Sequence, residues 1–221
     1  MSALITKIRI EKSTLFIEIP YMLLSSLVLL VMGKSQQVVS FQEGLILIGM
    51  FIIYLLYLFW LSQKESEEEV SPQYSFIGCV LLIGLGIFFV MIGSQLVVKA
   101  ATQIAYWLHF SQRFIGLTIV AFGTSLPELV TSVTAAKRGN AGIAIGNIVG
   151  SNIFNILFVI GTTSLICSVP FESKFMIDSM IAVIAGLVLW FGTMKHQELR
   201  KPCGIIMLLC YGLYFMYLCL M

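Results

Sequence analysis

Long apolar runs, each closed by a short polar or charged connector, set the pattern of this chain. A hydrocarbon layer of about 30 Å is crossed by roughly 20 apolar residues wound into a helix. By that criterion about seven spans are predicted, near residues 15–33, 44–61, 74–108, 112–137, 141–167, 175–194 and 203–220. The third is too long for one straight crossing. It is predicted to bend or break near Gly93-Ser94, with 95–109 tilted or lying at the interface. The sharpest boundary is the polar connector Gln63-Lys64-Glu65-Ser66-Glu67-Glu68-Glu69-Val70-Ser71-Pro72. Its glutamates read as a solvated linker, with weak attraction for peripheral cations as a second reading. The chain thus divides into two N-terminal transmembrane helices (1–62), an acidic cytoplasmic linker (63–73) and a five-helix membrane region (74–221).

Composition agrees with the pattern. Hydrophobic residues make up 59% of the 221 positions and charged residues 11%, against roughly a quarter charged in soluble domains. The fold class is therefore all-α, a polytopic membrane protein. A formal net charge of +2 offers no basic patch for nucleic acid. Five cysteines, Cys79, Cys167, Cys203, Cys210 and Cys219, lie in or near apolar runs without zinc or redox spacing. The first twelve residues lead into an apolar run with no small-residue cleavage signature, which reads as a first span. Lys7, Arg9, Lys12, Lys64, Lys137, Arg138, Lys195, Arg200 and Lys201 gather on one side of the alternating spans. Lys34, Arg113 and Lys174 fall on the other, with Lys99 near it. The richer side is expected to be cytoplasmic, which places the N-terminus in and the C-terminus out.

Most acidic residues lie in connectors, and Glu18 and Asp178 are near enough to span ends to reach the interface. Glu128 is different, because it lies inside an apolar run near the expected midplane. An ionisable group there is costly and marks a functional site by default. Thr124 and Ser125 precede it by four and three residues, so on a helix their oxygens share its face. Pro127 has no N–H, which frees the carbonyl of Gly123, and Gly123 eases a break. Carbonyls from Ala121 onward would then face the same place, an oxygen set that suits a hard cation. Ser125-x-x-Glu128 is equally the spelling of a capping box that restarts a helix after a kink. The two readings are compatible, since broken helices build ion sites in many transporters.

In the next span Asn147, Ser151 and Asn155 recur every four residues and line one helix face, with Asn152 about a quarter-turn away. Simple hydrogen bonding between helices would explain that stripe as well. Gly146 and Gly150 are predicted to let a neighbouring helix approach. His109 and His196 sit at span ends, and Trp60, Trp107, Trp190, Tyr57 and Tyr106 read as interfacial anchors.

Gly116-Leu-Thr-Ile-Val-Ala-Phe-Gly-Thr-Ser-Leu-Pro-Glu-Leu-Val-Thr-Ser132, followed by Gly146-Asn-Ile-Val-Gly-Ser-Asn-Ile-Phe-Asn-Ile156, resembles an alpha repeat of the calcium/cation antiporter superfamily, the sodium/calcium exchangers. The likeness is dense over residues 93–161. The flank Lys12-Ser-Thr-Leu with Glu18-Ile-Pro20 resembles the middle of prokaryotic members. The resemblance implies two inverted repeats, each giving a Glu-bearing motif to a central cation site, and alternating access. It implies that Glu128 is the ligating carboxylate. It further implies that Thr124, Ser125 and Ala121 add hydroxyl or carbonyl oxygens, and that Ser151 and Asn155 complete this repeat's share. Some exchangers carry Asp where this chain has Asn155, which supplies an oxygen without charge.

Only one alpha repeat is present. The first 73 residues hold no second Gly-Thr-Ser-x-Pro-Glu and no second Gly-Ser-Asn. Aligned by spans, the chain resembles one half of the inverted-repeat fold plus two preceding helices. A lone carboxylate with a few neutral oxygens is a poor calcium site, and two copies inserted alike would be parallel rather than inverted. The expected function is the membrane region of a cation antiporter, exchanging Ca2+ or a similar cation for Na+ or H+. It is expected to be incomplete without a partner, a separately encoded N-terminal exchanger half. The alternative is a non-transporting membrane scaffold or assembly module, and a channel is a third reading. No nucleophile–base pair points to an enzyme. No cofactor is expected beyond the transported cations, and the expected location is a prokaryotic inner membrane.

Overall fold

A backbone inside hydrocarbon must satisfy its own N–H and C=O groups, and the apolar runs of this chain do so as helices. The computed structural model describes residues 3, 8–64, 75–110, 115, 119, 123, 125–171, 173–195 and 197–220. After a short strand β1 (Ile8–Arg9), a π-helical turn, Thr14–Glu18, leads into α1 (Ile19–Gln36). Strand β2 (Val38–Val39) precedes α2 (Phe41–Lys64), and α3 (Phe76–Trp107) follows the acidic linker. Helix α4 (Leu126–Lys137) turns at Gly139, at φ 82, into α5 (Ala141–Ile153). A π-helical segment, Phe154–Ile160, carries α5 into α6 (Gly161–Ile166). Strand β3 (Val169–Pro170), α7 (Ser173–Met194), β4 (Glu198–Leu199) and α8 (Lys201–Leu220) complete the order. Among the described residues five helices are long and apolar enough to cross a membrane: Thr14–Lys34, Phe41–Lys64, Phe76–Trp107, Gly142–Ile166 and Phe175–Met194. Much of the predicted span 112–137, and the linker 65–74, lie outside the described residues.

The core lies where α1, α2, α5 and α7 meet. Leu15, Ile19, Leu47, Val149, Ile153 and Leu157 are fully buried there. Close approach depends on glycine at specific points. A Cβ on Gly44 of α2 would overlap the Ser164 hydroxyl and come within 3.0 Å of the Gly161 carbonyl on α6. Across the bundle, the Trp190 indole of α7 donates to the Leu15 carbonyl at 3.0 Å. Trp190 therefore ties two helices together inside the protein, and the Tyr57 hydroxyl is likewise buried; neither is the interfacial anchor expected from sequence. Glu18 is also inside rather than at an interface. It is 8% exposed and in electrostatic contact with Tyr54, because the π-helical turn rotates it toward α2.

Helix α3 runs unbroken through Gly93-Ser94, against the expected bend. A Gly-Ser pair permits a kink, as proline, a π-bulge or an inserted group does, but it does not compel one, and a Cβ on Gly93 would meet no described atom within 4 Å. A rise of about 1.5 Å per residue makes it roughly 48 Å long, which a bilayer accommodates by tilt. No described atom lies within 4 Å of a Cβ placed on Gly146 or Gly150.

Two segments, one near each end of the chain, repeat one another in register. Gln37 and Gln197 both close a helix in the left-handed region, at φ 55 and φ 51. Counting on from those turns, β2 matches β4, the first residue of α2 matches that of α8, and Gly44, Tyr54 and Tyr57 match Gly204, Tyr214 and Tyr217. The segments also exchange strands: β1 pairs with β4 and β2 with β3, both antiparallel. Helix α1 leaves the β1–β4 end and reaches the β2–β3 end, whereas α7 runs back the other way. The repeats are therefore inverted with respect to the membrane.

Candidate ion-binding site

The segment around Glu128 is built by a helix start. Ser125 forms a turn (φ −91, ψ −1) and α4 begins at Leu126, with Pro127 in its first positions. Proline fits there because its missing N–H would have no helical partner. The Leu129 N–H donates to the Ser125 carbonyl at 3.0 Å, the first turn of the new helix. Gly123 is buried with the Val98 side chain of α3 where a Cβ would be. No capping box forms here, as Ser125 makes no side-chain cap bond. That device appears at α2 in part, where Glu43 accepts both the N–H and the hydroxyl of Ser40 at 2.8 Å.

With no cap to make, the Glu128 carboxylate turns inward. Its Oε2 is buried and has no hydrogen-bond partner among the described residues. A buried, unpaired carboxylate is strongly unfavourable unless a cation or proton joins it. It borders a cavity of about 260 Å³ whose walls include Ile8, Ser132, Ile148, Leu199 and Met207. The cavity lies toward the β1–β4 end.

Asn147 of α5 fixes α4 beside it. Its amide donates to the Glu128 main-chain carbonyl at 3.1 Å and to the Ser132 hydroxyl at 3.0 Å. The rest of the predicted stripe behaves differently. Ser151 donates to the Ile148 carbonyl of its own helix at 3.1 Å. Asn155 is exposed and falls in the π-helical segment, whose wider winding breaks the four-residue repeat. Ser125 is exposed too. Ser125, Ser151 and Asn155 do not border the Glu128 cavity. Ala121 and Thr124 lie outside the described residues. Among the described residues no group of three or more His, Cys, Asp or Glu gathers to hold a metal ion.

Ser132 was not singled out by the sequence reading, although it stands four residues after Glu128 on the same face. Asp178 was passed over as a span-end residue. Its Oδ1 accepts the Tyr214 hydroxyl at 2.8 Å, joining α7 to α8.

A polytopic helical protein with inverted terminal segments and a buried, unpartnered carboxylate oxygen at a helix start has features of a secondary transporter. Residues 78–220 match the sodium/calcium exchanger protein family. The chain is 32% identical over 210 residues to a putative antiporter, CaxA, of Alkalimonas amylolytica, covering 90% of this chain and 66% of that protein. It is 36% identical over 173 residues to an uncharacterized membrane protein of Methanocaldococcus jannaschii, covering 78% and 56%. The solved sodium–calcium exchanger NCX_Mj, soaked with zero Na+ and Ca2+, superposes with a TM-score of 0.79 at 32% identity, covering 98% of this chain and 70% of that one. This chain belongs to the sodium/calcium exchanger family, a family of transporters rather than enzymes. It spans 56% to 66% of the length of the first curated relatives it matches.

Proposed function

We propose that this chain is the membrane region of a cation antiporter that exchanges Ca2+, or a similar cation, for Na+ or H+, with Glu128 as its anionic ligand. The observation that carries the reading is the Glu128 Oε2, buried and lacking any protein partner among the described residues. The relatives' names, sodium/calcium exchanger and antiporter, agree with it. Thr124, Ser125, Ala121, Ser151 and Asn155 are proposed to add oxygens once a complementary segment with a second Glu-bearing motif packs against α4 and α5. Calcium asks for about six to eight oxygens and more than one negative charge, which supports that requirement. The complement is either joined to this chain or made separately. The proposed setting is the cell membrane, with the N-terminus inside.

Vesicles containing the chain together with such a complement are expected to take up calcium when a sodium or proton gradient is imposed, and Glu128→Gln is expected to abolish the uptake. Gradient-driven uptake that persists in Glu128→Gln, or no uptake with any complement, overturns the proposal. The exposed side chains of Ser125 and Asn155, with no hydrogen-bond partner among the described residues, favour a second reading, a non-transporting scaffold. In that case Glu128→Gln changes neither ion binding nor assembly.

A further inference from the structure

A second cavity, of about 360 Å³, lies between α1, α5 and α7. Its walls are mostly apolar, but Ser26, Asn152, Asp178 and Ser179 also border it. It reaches Val169 and Pro170, so it lies toward the β2–β3 end, opposite the Glu128 cavity. Asn152 also lies on a different face of α5 from Asn147, whose amide meets Glu128 and Ser132.

The hydrogens around this cavity are largely committed elsewhere. The Ser26 hydroxyl donates to the Met22 carbonyl at 3.0 Å, and the Asn152 amide donates to the Ile148 carbonyl at 2.8 Å. Both side chains keep an oxygen free to accept. The Tyr214 hydroxyl occupies Oδ1 of Asp178 and leaves Oδ2 without a partner among the described residues. The Ser179 hydroxyl has no partner among them either. Among the described residues the cavity therefore borders on one anionic and several neutral oxygens, with Asp178 the only titratable residue among them.

The internal repeat explains the space. In the first half Glu18 stands where Asp178 stands in the second, followed by Ile19 and Met22, both buried. Asp178 is followed at those positions by Ser179 and Ala182, which border the cavity. Smaller side chains leave open in one half what the other half fills.

We propose that this cavity is a second cation site, separate from Glu128, that takes one monovalent metal ion of sodium size on Asp178, Asn152, Ser26 and Ser179. One carboxylate in an apolar setting is neutralised by a single positive charge. A divalent ion would keep a net charge and lack its oxygen complement.

The test uses the full chain carrying Glu128→Gln, which silences the first site, purified in detergent with choline as the background cation. Equilibrium binding of radioactive sodium is expected to saturate at one ion per chain. Asp178→Asn in that background is expected to weaken binding at least tenfold. Ser179→Ile, which refills the space as in the first half while keeping the Asp178–Tyr214 bond, is expected to do the same without lowering the melting temperature. Sodium binding untouched by both substitutions overturns the site. So does an absence of saturable binding in folded protein, or displacement of sodium by calcium at lower concentration.

Discussion

The Asn147 side-chain amide reaches across from α5 to the main-chain carbonyl of Glu128, at 3.1 Å. Because the same amide also meets the Ser132 hydroxyl, a single side chain holds two turns of α4 in place. Hydrogen bonds between membrane helices average about 0.6 kcal/mol each. Asn147→Ala is therefore expected to destabilise the protein by about 1–2 kcal/mol, and Ser132→Ala by less. Thermal unfolding in detergent measures both. An Asn147→Ala protein as stable as the parent would show that the contact carries nothing.

Glu128 should weigh against stability when no cation is present. An unpaired buried carboxylate is often replaced by a neutral group with a gain of about 1 kcal/mol or more. Glu128→Gln is expected to melt higher than the parent in cation-free buffer and to lose any stabilisation by added calcium. A lower melting temperature in both conditions would mean that the carboxylate is paired.

Glycine substitutions should separate along the chain. Gly44→Ala drives a methyl into Ser164 and the Gly161 carbonyl, an overpacking expected to cost about 1–3 kcal/mol. Gly146→Ala points into open space among the described residues and is expected to change stability by no more than about 0.5 kcal/mol. If the two cost the same, the packing of α2 on α6 is not what limits stability.

Left-handed Gln37 and Gln197 each hold a conformation that L-residues other than Gly, Asn and Asp adopt at a cost. Glycine relieves that cost, so Gln37→Gly and Gln197→Gly are each expected to stabilise by about 1 kcal/mol. Denaturant titration reads the change, and the two effects should add, because the turns lie at opposite ends.

Five of the span positions and the helix start at Pro127 were legible from spacing alone, because each is a local rule applied to a local pattern. What escaped was set by neighbours. Glu18 spells a span-end residue, yet the π-helical turn before α1 buries it against Tyr54. Asn155 spells the last member of a stripe, yet another π-helical segment takes it off that face. No side chain announces either change of winding. The internal repeat was hidden for a different reason. Its matched positions, such as Gln37 with Gln197 and Gly44 with Gly204, are sparse among interchangeable apolar residues. Backbone turns and strand positions make the register plain.

The strand exchange has a consequence for how the protein is made. Ile8 pairs with Leu199, and the Leu15 carbonyl waits for the Trp190 indole, 175 residues away. Helix α1 is translated well before α7, and the indole that fastens the turn leading into α1 comes 175 residues after Leu15. Until then α1 must stay near the site of insertion without it. Contacts so distant in sequence form slowly, so the arrival of α7 and β4 is what locks α1 in place.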